Sequence, residues 1–121
     1  LLIYERDKFR EDVSPEDWAK LMEGHNAFWA KYGETGRVSG AAGLESHRTA
    51  TSMRYGGGDY TVTDGPFVET REVLGGFYVV EAKDLDEAMA IARDIPVGPG
   101  DGVEIRPLMP MAASEDAASG G

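Results

Sequence analysis

Few of the 121 residues in this chain could do chemistry. There is no cysteine, which excludes disulfides, thiolate nucleophiles and thiolate metal sites. Of the two histidines, His25 is the more informative. It stands among Trp18, Leu21, Met22, Trp29 and Tyr32, whose i, i+3, i+4, i+7 rhythm marks one face of a helix. On such a stripe a histidine reads first as an interior or interface side chain, satisfied by a carbonyl or a carboxylate. Held by a carboxylate in a pocket, the same imidazole is a general base near neutral pH. His47 lies in the polar run 45–49, where a surface loop is the default.

The second candidate is the run Asp64-Gly65-Pro66-Phe67. Asp accepts backbone N–H groups, Gly takes unusual φ values and Pro fixes the next φ, so the residues spell a rigid turn launching a short helical segment at Pro66–Glu72. The functional alternative places Asp64 beside a cleft as a general acid or base. No H-x-x-x-H or related spacing joins the histidines to the carboxylates, so neither a metal nor another cofactor is expected. Gly56-Gly57-Gly58 is followed by neither a Lys-Ser/Thr pair nor a helix start, and reads as a hairpin turn and not a phosphate loop. No serine has a nucleophile-elbow context. Arg54, Arg71 and Arg106 could neutralise an acidic ligand, but pairing with the many surface carboxylates is the plainer expectation.

The elements that must position these residues are legible. Leu1–Tyr4 opens as an apolar strand, and the charged residues 5–13 carry no period and read as a loop. Ser14-Pro15-Glu16-Asp17 starts a helix, with Ser as N-cap, Pro at the first helical position and an acid at the third. That helix spans 14–34, and Gly33 and Gly36 supply its stop. Arg37–Gly40 is a short strand candidate; 50–55 and 60–63 form a hairpin about the glycine turn, and 77–82 is the most apolar strand. Asp84 caps a second helix with Glu87 at N3, its apolar face being Leu85, Ala88, Met89, Ala92 and Ile95, and Pro96 ends it. A last strand covers 103–108. The expected order is β-α-β-β-β-α-β over a single domain, 1–110, with a flexible tail at 111–121. Two helices on one face of a mostly antiparallel sheet make an α+β ferredoxin-like sandwich. The first strand and Phe77–Val80 are apolar at both alternating positions, so the second sheet face needs a cover, and a second copy of the chain is the simplest.

Twelve basic against twenty-two acidic residues give a net charge of −10. That balance argues against nucleic acid, which needs a basic stripe, and against an anionic membrane surface. No apolar run approaches a membrane span and no secretion signal is visible, so a cytoplasmic protein is expected.

The turn at Asp64–Phe67, the acid-bearing Glu69-Thr70 and Glu72, the Gly75-Gly76-Phe77-Tyr78 strand start and the Asp84–Ala88 helix start together resemble the YCII-related family, and within it the DGPF subgroup. The likeness runs from Leu1 to about Pro107. It implies a dimeric α/β-barrel, a ferredoxin-like protomer whose sheets pack face to face in a homodimer. It also implies that His25, eleven residues before Gly36, stands where the family's helix histidine pairs with an aspartate in a catalytic dyad. Asp64 ends a strand at the sandwich edge that the helix face can reach, and is the expected partner, with Trp29, Phe67 and Tyr78 walling the pocket. Two functions are therefore expected. One is a cofactor-free enzyme performing proton transfer or elimination on a compact aromatic or carbonyl-bearing molecule. The alternative is a non-catalytic ligand-binding or regulatory module, linked to an extracytoplasmic-function sigma factor as DGPF proteins resemble.

Overall fold

The computed structural model describes residues 1–110, and the tail expected at 111–121 lies outside them. Its elements are β1 (Leu2–Arg6), α1 (Phe9–Asp12), α2 (Pro15–Phe28), β2 (Val38–Gly43), β3 (Thr51–Gly56), β4 (Asp59–Asp64), β5 (Glu72–Val80), α3 (Leu85–Ala92) and β6 (Gly102–Glu104). Four strands form an antiparallel sheet in the order β2-β5-β1-β6, which is the ferredoxin-like arrangement. The short candidate after Gly36 is a full strand, β2, so four strands and not three lie between the long helices. Two of them, β3 and β4, leave the sheet as a separate hairpin.

Both helix starts behave as their caps dictate. The Ser14 side chain accepts the Asp17 amide at 3.0 Å, and the Asp84 carboxylate accepts the Glu87 amide at 2.8 Å. The first helix does not run to 34 as one α-helix. It converts at Trp29 into a π-helix, Trp29–Gly33, and Gly36 at φ +79° redirects the chain into β2. Residues 5–13 are more ordered than their lack of period suggests, since β1 extends to Arg6 and α1 adds a turn. No helix forms at Pro66–Glu72; the segment bends and then enters β5. The last strand is shorter than expected, 102–104, because Glu104 already pairs with Leu2, the first residue of β1, and the ladder ends there.

The core lies between helices and sheet, built from Phe28, Val38, Tyr78, Ile91 and Ile95 with Ile3, Val80 and Val103 around it. Leu85, expected on the buried face of α3, is 61% exposed, and Ile91 fills the interior in its place. Leu2 pairs with Phe77 across β1 and β5, so the two share a face opposite to that of Ile3, and both are half-buried. In the hairpin, Met53 opposes Val62 and Tyr55 opposes Tyr60, which puts these four apolar side chains on one exposed face. Among the described residues, no helix is long and apolar enough to cross a membrane.

Two adjacent glycines fix how closely the strands meet. A Cβ at Gly76 would lie 2.9 Å from the Ala42 carbonyl oxygen on β2, and one at Gly75 would meet the Glu5 carboxylate on β1. Backbone cannot yield as a carboxylate can. Gly76→Ala is therefore expected to cost about 1–3 kcal/mol in urea unfolding, and Gly75→Ala less. Equal costs would show that β2 and β5 separate freely.

Candidate active site

Helix α2 does not press its whole apolar stripe onto the sheet. Phe28 is its one buried residue, while Trp18, Leu21, Met22, His25 and Trp29 line a cleft of about 530 Å³ between the helix and strands β1, β2 and β5. Its size falls within the roughly 300–1,000 Å³ of small-molecule sites. Gly75 and Gly76 contribute backbone and no side chain to the opposite wall, which helps keep the cleft open.

The polar pair nearest the aromatic side chains of the cleft is His25 and Tyr78. His25 Nδ1 lies 2.7 Å from the Tyr78 hydroxyl, and the two rings stack at 5.9 Å between centroids. Tyr78 is fixed in turn by Phe28, whose ring centre is 4.5 Å away. Strand β5 sets Tyr78 on the helix-facing side, and α2 places His25 one turn before Phe28, so the two elements that build the core also aim the pair. Burial holds the His25 imidazole below its ordinary pKa and pushes the Tyr78 phenol above its own, so both are neutral at pH 7. Two tautomers then satisfy the contact. In one, the phenol donates to Nδ1 and Nε2 carries the proton. In the other, Nδ1–H donates to the phenolic oxygen, Nε2 has a lone pair, and the phenol proton is available to a third group. Among the described residues Nε2 has no protein partner, and it is not buried.

Arg10 and Glu5 brace the wall. The guanidinium donates from Nε to Glu5 Oε2 at 2.9 Å, from Nη1 to the Leu44 carbonyl at 2.5 Å, and from Nη2 to the Gly75 carbonyl at 3.2 Å and Glu5 Oε1 at 3.3 Å. Four chain segments are thereby tied at one point. Trp18 lies against the same guanidinium, 5.6 Å from its ring centre.

Of the residues expected at the site, His25, Trp29 and Tyr78 are brought together at this cleft. Asp64 is not brought to His25. It lines a separate, open hollow with His47, Arg48 and Arg71, because the hairpin that carries it has left the main sheet. Phe67 does not wall the cleft either; it is 56% exposed and lies under the Arg54 guanidinium, 4.2 Å from its ring centre. The turn does structural work instead. Gly65 takes φ +100°, its amide donates to the Ala50 carbonyl at 2.7 Å, and the Ser52 hydroxyl donates to its carbonyl at 2.7 Å. Sequence reasoning missed the Glu5–Arg10 brace, whose one signal is the side-chain-free Gly75-Gly76 facing it.

The half-buried histidine predicts a pH effect on stability. Its folded-state pKa is lowered, so the unfolded chain binds the proton more tightly, and stability is full above about pH 6.5 and lost as pH falls below it. Urea midpoints of the wild type should fall further between about pH 7 and about pH 5 than those of His25→Gln. Parallel curves would place His25 in an environment like water.

The sequence profile of the YCII-related domain matches residues 1–112. The chain is also 36% identical over 110 residues to an uncharacterised protein of Rhizobium meliloti, an alignment covering 89% of each chain.

Proposed function

The chain belongs to the YCII-related family, and on that premise we propose that it is a small-molecule enzyme that moves a proton using its own side chains. The observation that carries this reading is the 2.7 Å contact between His25 Nδ1 and the Tyr78 hydroxyl at the wall of an apolar cleft. In the tautomer with Nδ1–H donating to Tyr78, Nε2 takes a proton from a carbon next to a carbonyl. The C–H electron pair becomes the double bond of an enolate, and the Tyr78 O–H donates to the oxygen on which charge collects. The proton then returns to carbon, or a leaving group departs from the adjacent carbon. Tyr78 stands here in the role expected of Asp64. The Asp64–Phe67 turn supports placing the chain in the DGPF subgroup.

The same reading makes the protein a homodimer through its sheet faces. The half-buried Leu2 and Phe77 face away from the helices, and the exposed face of Met53, Tyr55, Tyr60 and Val62 adds apolar surface.

The test is hydrogen–deuterium exchange at the methyl group of acetophenone in D₂O, followed by NMR. Exchange faster than buffer, saturating with acetophenone, is expected. A rate equal to buffer across a series of uncharged aryl ketones would sink the proposal.

A further inference from the structure

The cleft also carries a charge rule. Among its lining residues, only Arg10 and His25 can bear a positive charge. Arg10 has four of its five N–H groups committed, to Glu5, Leu44 and Gly75, and its charge is met by the Glu5 carboxylate. Its flat face is taken by Trp18. His25 is neutral at pH 7 in its half-buried place. Against these stand Asp101, whose carboxylate is already met by Arg6 at 3.8 Å, and Glu45, exposed at the lip. The chain as a whole carries −10. Among the described residues, an anion entering this cleft would find no uncommitted cation to pair with, the exposed Glu45 carboxylate at the lip and a repelling field outside. A neutral ring would find Trp18, Trp29 and Met22 for its faces, and His25, Tyr78 and Asn26 for one polar group.

We infer that the cleft selects uncharged aromatic molecules bearing a hydrogen-bond acceptor such as a carbonyl, and excludes their carboxylate counterparts. This deepens the proton-transfer reading by naming the substrate class of the same site. It separates the protein from enzymes that grip an acidic substrate through arginine.

The chain contains two tryptophans, and both line the cleft, so intrinsic fluorescence reports on it. The experiment titrates the full chain with benzamide and with benzoate, two probes of matched ring and size that differ in charge. Benzamide is expected to bind at least about tenfold more tightly. In Glu45→Lys the preference for benzamide over benzoate should narrow, since the carboxylate at the lip is replaced by a cation and Glu45 is exposed, so the core stays intact. Benzoate binding as tightly as benzamide to the wild type would overturn the inference, as would failure of both to saturate. Acetophenone exchange is a separate readout. A chain that prefers benzamide without exchanging acetophenone keeps the charge rule and loses the catalytic proposal. One that exchanges acetophenone yet binds benzoate equally does the reverse.

Discussion

In His25→Gln, exchange of the acetophenone methyl protons is expected to fall by about 10²–10⁴-fold, the range that a positioned general base contributes. Stability at neutral pH should change little, because the imidazole is half-buried and its side-chain contact is with the Tyr78 hydroxyl, which a glutamine amide can also meet. Tyr78→Phe separates the acid from the base. It retains the ring against Phe28 and removes only the hydroxyl, so the rate should fall while the fold persists. If His25 were merely packed, the outcome would invert: both variants would lower the urea midpoint and leave exchange at the wild-type rate.

The second large effect belongs to Phe28. It is 2% exposed, and its ring centre lies 4.5 Å from that of Tyr78 and 4.9 Å from that of Tyr32. Phe28→Ala is expected to cost about 3–5 kcal/mol, a large share of the roughly 5–15 kcal/mol that holds a domain together. Exchange should fall with it even where the chain remains folded, because Tyr78 loses the neighbour that fixes its hydroxyl. Phe28→Leu keeps most of the volume and should restore both in part. A Phe28→Ala protein with normal exchange and a urea midpoint near wild type would show that Tyr78 is held by the strand alone.

The sequence makes the caps, the hairpin turn and the α+β class readable because each depends on local chemistry. Ser14 and Asp84 need only the amides three residues on. The stripe Trp18–Trp29 was equally visible, but its meaning was not. Helical periodicity shows which residues share a face, and cannot distinguish a face packed on a core from one bordering a cleft. Phe28, three residues after His25 and seven after Leu21, borders that stripe and is the buried anchor. The pairing of His25 with Tyr78 spans 53 positions and depends on strand order, which local pattern does not encode. Asp64 failed to reach His25 for the same kind of reason: a hairpin is a local prediction, whereas its departure from the main sheet is a property of the whole packing. The Glu5–Arg10 brace was hidden because its acceptors include backbone carbonyls of Leu44 and Gly75, which have no side-chain signature.

The central position of β1 governs the order in which the molecule can be made. β1 precedes both of its neighbours in the sheet, β5 and β6, which are drawn from Glu72–Val80 and Gly102–Glu104. On a ribosome, residues 2–6 emerge long before either partner exists, and among the described strands only β3 and β4 can pair with each other on the way. The apolar segment Leu2-Ile3-Tyr4 must therefore wait, unpaired on both edges, until most of the chain has been synthesised. The charged stretch from Glu5 to Asp12 that follows it immediately is well placed to keep nascent chains apart during that wait, as charges flanking an apolar strand do.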